Sequence, residues 1–218
     1  MNEVEATFLI ADLAGYTALT ETHGDMRAAS VLARYVEIAE QALHPESRIV
    51  ERVGDELLVV ARHAGSAVHT AIKLRDAIER EPLFPTVRIG MHAGSIVEQD
   101  GKYFGAALNL TARVAAHASE SQILCTDRVS TQAASVDGVE YRALGQVRFR
   151  NIVEPVSLFE ILVARQSRQT TVLDPVCRMQ VKPDSAPARL PYGGNVYHFC
   201  SAECARAFAA RPHDYASR

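Results

Sequence analysis

Val50-Glu51-Arg52-Val53-Gly54-Asp55-Glu56-Leu57-Leu58-Val59-Val60 decides the fold of the larger part of the chain. Apolar and β-branched residues flank a Gly-Asp pair, the pattern of a β-hairpin. Its tip carries a carboxylate, Asp55. A second apolar run, Thr7-Phe8-Leu9-Ile10-Ala11, also ends in an acid, Asp12. If the two strands are neighbours, both acids lie at one end of one sheet. Two hard oxygen ligands on rigid strands suit Mg²⁺ or Mn²⁺, and those ions suit phosphoryl chemistry.

Working outward, Leu13-Ala14-Gly15-Tyr16-Thr17 reads as a tight turn, with Thr17 able to cap the next helix. Leu32, Tyr35, Val36, Ala39 and Leu43 keep a three-four spacing, which predicts a helix over roughly Met26 to Leu43. Backbone N–H groups at a helix start just after a metal-site strand can receive phosphate oxygens. Beyond the hairpin, Ser66 is expected to cap a second helix with Ala67, Ala71, Leu74 and Ile78 on one face, ended by Pro82 and Pro85. Thr86 to Gly94 alternates as a strand, on which His92 reads as a packed or surface residue rather than a base. Glu98 to Lys102 reads as a turn or projecting arm. A helix is predicted over Ala106 to His117, then strands around Ile123, 139–142, 147–150 and 156–161. The order β-α-β-β-α-β-α-β predicts a mixed sheet with helices packed on it, an α/β or α+β sandwich.

Composition narrows the class. The 218 residues allow one medium domain and something small. They are 48% hydrophobic and 22% charged, an ordinary globular balance, and the net charge of −3 gives no basic field for nucleic acid or an anionic membrane. No apolar run approaches the roughly 20 residues that span a bilayer. The acidic N-terminus lacks a signal-peptide charge pattern, so a cytoplasmic location is expected. Cys125 stands alone in an apolar run and reads as a small buried hydrophobe. Cys177, Cys200 and Cys204 cluster near the C-terminus, which in a reducing compartment points to metal rather than disulfides.

Four stretches, in order, resemble the class III adenylyl/guanylyl cyclase catalytic domain over about residues 5 to 163. Phe8 to Thr17 is similar to its first metal strand and turn, and Val53-Gly54-Asp55 to its second metal motif. Tyr103 to Arg113 is similar to its catalytic helix, and Gly145 to Ile152 to its late strand. The resemblance implies a ferredoxin-like α+β domain that cyclises a purine nucleoside triphosphate, GTP or ATP. The ribose 3′-oxygen attacks the α-phosphorus and expels pyrophosphate, with two Mg²⁺ or Mn²⁺ ions per site. It implies that Asp12, Asp55 and the Leu13 carbonyl hold the ions. Asn109 would orient the ribose, Arg113 would stabilise charge on the α-phosphate, and Arg150 would stand for a triphosphate-binding Lys. Asn109 and Arg113 are four apart and share a helix face. The family builds its sites across a dimer, so a homodimer with two equivalent sites is implied.

The base-reading positions depart from the family pattern. Adenylyl cyclases have Lys four residues before the second metal Asp, and Asp or Thr seven before the Asn; guanylyl cyclases tend to Glu and Cys. This chain has Glu51 and Lys102. Glu51 can accept from guanine N1–H and N2–H while Lys102 donates to O6, which predicts a preference for GTP. Alternatively the two pair with each other, leaving base choice loose or the site silent; the second reading of the domain is a non-catalytic nucleotide- or metal-binding module.

The last stretch, Asp174-Pro175-Val176-Cys177-Arg178-Met179 and then Tyr197-His198-Phe199-Cys200-Ser201-Ala202-Glu203-Cys204, resembles the YHS domain, related to TRASH-type metal modules. Some 45 residues rarely build a sufficient core alone. Three thiolates suit Zn²⁺ or Cu⁺. His198 is the nearest candidate for a fourth ligand, with His213 and Asp174 behind it; buried thiols without metal are the alternative. The predicted layout is a cyclase domain over 1–164, a linker over 165–172 and a small Cys-rich YHS module over 173–218.

Overall fold

The computed structural model describes residues 2–163 and 171–216, so most of the expected linker lies outside the described residues. The larger domain runs β1 (Asn2–Ala14), α1 (Tyr16–Ala42), β2 (Ser47–Val53), β3 (Glu56–Ala61), α2 (Ala64–Arg80), β4 (Thr86–Gln99), β5 (Lys102–Phe104), α3 (Ala106–His117), β6 (Ile123–Thr126), α4 (Asp127–Gln132), β7 (Val139–Val147) and β8 (Val156–Val163). The tail continues as β9 (Val172–Leu173), β10 (Gln180–Val181), β11 (Ala188–Tyr192), β12 (Asn195–Phe199), α5 (Ala202–Ala210) and α6 (Pro212–Ala216). No helix among the described residues is long and apolar enough to cross a membrane.

The main sheet has the order β2-β3-β1-β4-β6-β8-β7, with β5 folded back on β4. Among the described residues only β4 and β6 pair in parallel. This is the expected mixed α+β architecture. β1 is central and buried on both faces, which is why its sequence is a continuous apolar run rather than an alternation. Its residues divide by parity. Leu9, Ala11 and Leu13 face a core with α1 and α2. Phe8 and Ile10 join Leu58, Val60, Ile96, Ala107 and Ala115 beneath α3.

Gly90 sets how close α3 can come. A β-carbon there would lie 2.1 Å from the backbone nitrogen of Ala115 and 2.4 Å from its Cα. Glycine on β4 lets the helix backbone lie directly on the strand and fixes the helix that carries Asn109 and Arg113.

Three local expectations need correction. α1 begins at Tyr16, not near Met26, and Gly15 rather than Thr17 occupies its cap position with φ 85°. The helix breaks at Gly24 (φ 77°, ψ 167°), so a polar first segment, Tyr16–His23, precedes the amphipathic part. α2 begins at Ala64, and Ser66 is inside it, with its hydroxyl donating to Glu46 Oε2 at 2.7 Å. One strand, β7, covers 139–147, irregular between Ala143 and Gly145, whereas 148–150 of the second expected strand lie beyond its end and are not strand.

The tail does not stand apart. Val176, Cys177, Met179, Val181, Phe199, Cys200, Cys204 and Phe208 belong to the same apolar core as α1, α2 and the sheet. Gln180 N donates to Phe84 O at 2.9 Å, and Pro85 bridges Met179. Arg178 pairs with Glu120. A small module short of its own core thus completes one by sharing its neighbour's.

Candidate functional site

The antiparallel register places Asp12 opposite Glu56 of β3 on one side and opposite Arg88 of β4 on the other. Asp55 follows Gly54 (φ 60°) at the tip of the β2–β3 hairpin. The acids at the ends of the two apolar runs therefore meet, as their positions predicted. Arg88 Nε donates to Asp12 Oδ2 at 2.6 Å, and Nη2 reaches the same oxygen at 2.5 Å. Burial and then the neighbouring Asp12 charge push the Asp55 carboxyl up to about 6. Glu56 is raised by the same two causes in the same order. Carboxylates crowded this far out of water need a cation, and Arg88 supplies only one charge. The donor set of Asp12, Asp55 and the Leu13 carbonyl beside them therefore fits a divalent ion.

The turn after β1 adds donors. The first α1 hydrogen bond is Leu19 N to Gly15 O at 2.9 Å. The N–H groups of Tyr16 to Ala18 precede that bond and are free to meet an anion.

Asn109 and Arg113 both lie exposed on α3. Among the described residues neither side chain has a hydrogen-bond or ion-pair partner. Asn109 and Glu51 line one small cleft with Ile10, Val53, Glu56, Leu58, Leu108 and Ala112, of about 120 Å³. Nucleotide-sized ligands need roughly 300 Å³ or more. One chain thus brings Glu51 and Asn109 to a shared cleft but leaves Arg113, Lys102 and Arg150 outside its lining. Lys102 is exposed on the β4–β5 arm and Arg150 is exposed beyond β7. Glu51 and Lys102 form no ion pair with each other among the described residues. The neighbouring Tyr103 accepts from Arg48 and stacks edge-on against Phe8.

In the tail, Asp174 is buried and acts as an organiser rather than a ligand. Its Oδ1 accepts from Val176 N at 2.9 Å and Cys177 N at 3.4 Å, and its Oδ2 from Cys200 N at 2.8 Å. This carboxylate ties the two cysteine loops together. Ser201 caps α5 by accepting from Cys204 N at 3.2 Å, which turns Cys204 toward Cys200. The Cys200 thiol is held low, to about 2, by hydrogen bonds from Cys177 and then Cys204. Cys177 is pushed up by the same bond.

The nearest imidazole to these sulfurs is not His198. His198 lies on β12 opposite Arg189. His213 bonds Tyr192. The fourth donor within reach is His23, at the end of the first α1 segment, and the four ligand atoms lie within 4.8 Å of one another. Sequence reading misses it because its partners are far along the chain; the only local signal is the His-Gly pair at the helix break. Arg88 escapes for the same reason.

Residues 2–157 match the family model for the adenylate and guanylate cyclase catalytic domain, and residues 172–218 match the YHS domain. A pH-sensitive adenylate cyclase of Mycobacterium tuberculosis is 27% identical over 160 residues, covering 72% of this chain and 40% of the relative's own length. A copper-transporting P-type ATPase of Rhizobium leguminosarum is 50% identical over 44 residues, 20% of this chain and 5% of the relative. A solved adenylate cyclase structure from Trypanosoma brucei shares the fold with a TM-score of 0.68 at 20% identity, covering 76% of this chain and 91% of that one.

Proposed function

Because the chain belongs to the adenylate and guanylate cyclase catalytic domain family and carries a YHS domain behind it, we propose that it converts a purine nucleoside triphosphate to the 3′,5′-cyclic monophosphate and pyrophosphate. The observation that carries this reading is the meeting of Asp12 and Asp55 at the ends of β1 and the β2–β3 hairpin. Mg²⁺ or Mn²⁺ held by Asp12, Asp55 and the Leu13 carbonyl would supply Lewis-acid activation of the 3′-oxygen and neutralise the triphosphate.

The chain's own groups do the rest. The free N–H groups at the start of α1 receive phosphate oxygens. Asn109 orients the ribose, so that its 3′-oxygen lies in line with the leaving pyrophosphate. Arg113 meets charge developing on the α-phosphate, and Arg150 binds the triphosphate. The small single-chain cleft and the unpartnered Asn109 and Arg113 support a homodimer in which each site takes its metal residues from one chain and its α3 residues from the other. Mixing inactive Asp55→Asn and Arg113→Ala chains tests this. Random exchange makes half the dimers mixed, each with one intact site of two. Recovery near a quarter of wild-type activity is expected, and no recovery would defeat the shared site.

Glu51 and Lys102 favour GTP, because together they complement the guanine edge and they are not paired with each other. ATP is the second reading, favoured by the name of the mycobacterial relative. Initial rates with each nucleotide, with Mg²⁺ and with Mn²⁺, decide between them. Equal absence of product would favour a silent module.

The tail cysteines bind a soft cation, Zn²⁺ or Cu⁺, and its occupancy biases the catalytic domain through their shared core. Elemental analysis of the wild type against Cys177→Ala, with activity measured on both, tests the tail.

A further inference from the structure

The tail site is not closed by the tail. His23 Nε2 lies 3.4 Å from Cys200 Sγ and 3.5 Å from Cys204 Sγ. Cys177 Sγ lies 3.3 Å from Cys200 Sγ, which lies 3.6 Å from Cys204 Sγ. A tetrahedral Zn²⁺, with Zn–S of about 2.3 Å and Zn–N of about 2.0–2.1 Å, sets its ligand atoms about 3.6–3.8 Å apart. Four of the six donor pairs, at 3.3–3.6 Å, are already near those separations, and all six lie within 4.8 Å. The cysteines are buried and His23 is half-buried. Trigonal Cu⁺ would be satisfied by three sulfurs and would leave the imidazole out. A nitrogen donor at the same range as the sulfurs calls for a four-coordinate ion.

The placement of His23 matters as much as the distances. Gly24, with φ 77°, breaks α1 just after it, so His23 ends the short segment that starts at Tyr16. That segment comes directly after Asp12, Leu13 and Gly15. The tail also holds its other end. A β-carbon at Gly15 would lie 2.4 Å from Arg178 Cβ, and Arg178 is in turn fixed by Glu120. The segment is about 12 Å long at 1.5 Å per residue, with the proposed phosphate turn at one end and the sulfurs at the other.

We propose that His23 of the cyclase domain and Cys177, Cys200 and Cys204 of the YHS domain form one four-coordinate Zn²⁺ site. It is a clasp between the domains that fixes the Tyr16–His23 segment next to the catalytic carboxylates. This rests on the tail-metal reading above, and the two fail differently.

The test uses the full chain, reduced and stripped of metal, with Co²⁺ as the spectroscopic probe and Zn²⁺ as its competitor. The wild type is expected to take one Co²⁺ per chain, with thiolate charge-transfer and tetrahedral d–d bands that Zn²⁺ abolishes. His23→Ala should weaken Zn²⁺ binding at least about tenfold and collapse the d–d bands. His23→Cys should restore tetrahedral bands with stronger charge transfer, a gain that misfolding cannot mimic. His198→Ala should change neither. Zn²⁺ should slow amide exchange over 16–23 in the wild type and not in His23→Ala. If both His23 variants keep the wild-type spectrum and affinity while Cys177→Ser loses them, the metal belongs to the tail alone and the clasp is wrong. The clasp is equally wrong if only Cu⁺ binds, to the same extent in both His23 variants. If neither Co²⁺ nor Zn²⁺ nor Cu⁺ binds stoichiometrically, the clasp and the tail-metal reading fall together.

Discussion

Arg88 and Asp12 sit opposite each other on β4 and β1, with the guanidinium donating twice to one carboxylate oxygen, at 2.6 Å and 2.5 Å. A cation of the chain therefore occupies the ground that the proposed divalent ion would need. It keeps Asp12, Asp55 and Glu56 tolerable to one another and lowers the charge available to metal.

Arg88→Met is accordingly expected to bind Mn²⁺ several-fold more tightly than the wild type. In metal-free buffer it should melt lower, and Mn²⁺ should raise its Tm by more. The Arg88 side chain is 40% exposed, so solvent screening keeps the stability effect modest. Mn²⁺ titration followed by electron paramagnetic resonance checks it. Unchanged affinity would show that Arg88 does not compete with metal.

Asp55→Asn should separate function from stability. The wild-type carboxyl is pushed up to about 6 by burial and by Asp12, so the folded state is strained by carrying its charge at neutral pH. The amide removes that charge at similar volume. Activity should fall by about 10²-fold or more, while metal-free Tm stays level or rises. A sharp fall in Tm would mean the carboxylate is structural.

Gly90→Ala tests how the fold positions the site. The added methyl meets the Ala115 backbone at 2.1 Å, and a helix backbone cannot swing aside as a side chain can. Overpacking of this kind costs about 1–3 kcal/mol or more. α3 must shift, and Asn109 and Arg113 shift with it. Loss of both stability and kcat is expected from a residue that touches no substrate. A normal kcat in folded protein would show that α3 tolerates displacement.

The sheet and α3 are legible in the sequence because apolar runs and three-four spacing report burial directly. Val50–Val60 is the β2–β3 hairpin, and α3 has the predicted ends. The first segment of α1 is hidden because Tyr16–Asp25 is mostly polar, and the partners of His23 belong to the tail. Gly145, with φ 91°, resembles a strand boundary in sequence but marks an irregularity within β7. His23 cannot be paired with Cys200 by spacing, since local patterns carry no information across 177 residues. Asp174 reads as a possible ligand because acids and cysteines cluster there; burial instead gives it backbone N–H partners.

His92 predicts an acid sensitivity of the fold. Its Nδ1 pairs with buried Thr126 Oγ1 at 2.9 Å, and Arg128 and Asp127 are the charged groups beside it. Burial, and then Arg128, hold its pKa down to about 4 against an ordinary 6.5. The unfolded chain takes up a proton as pH falls below 6.5, whereas the folded chain does so only near 4. The neutral ring's contribution is therefore complete above about pH 6.5 and is lost progressively as pH falls through that window. At 1.36 kcal/mol per pKa unit the loss between pH 7 and 5 is at most about 2 kcal/mol, and nearer about 1 once the ring's partial exposure is allowed for. The measure is the difference between wild type and His92→Gln. Glutamine can keep a bond to Thr126 without taking up a proton. The fall in Tm from pH 7 to pH 5 should be smaller in the variant by a few degrees. Parallel curves for the two proteins would remove His92 from the acid response.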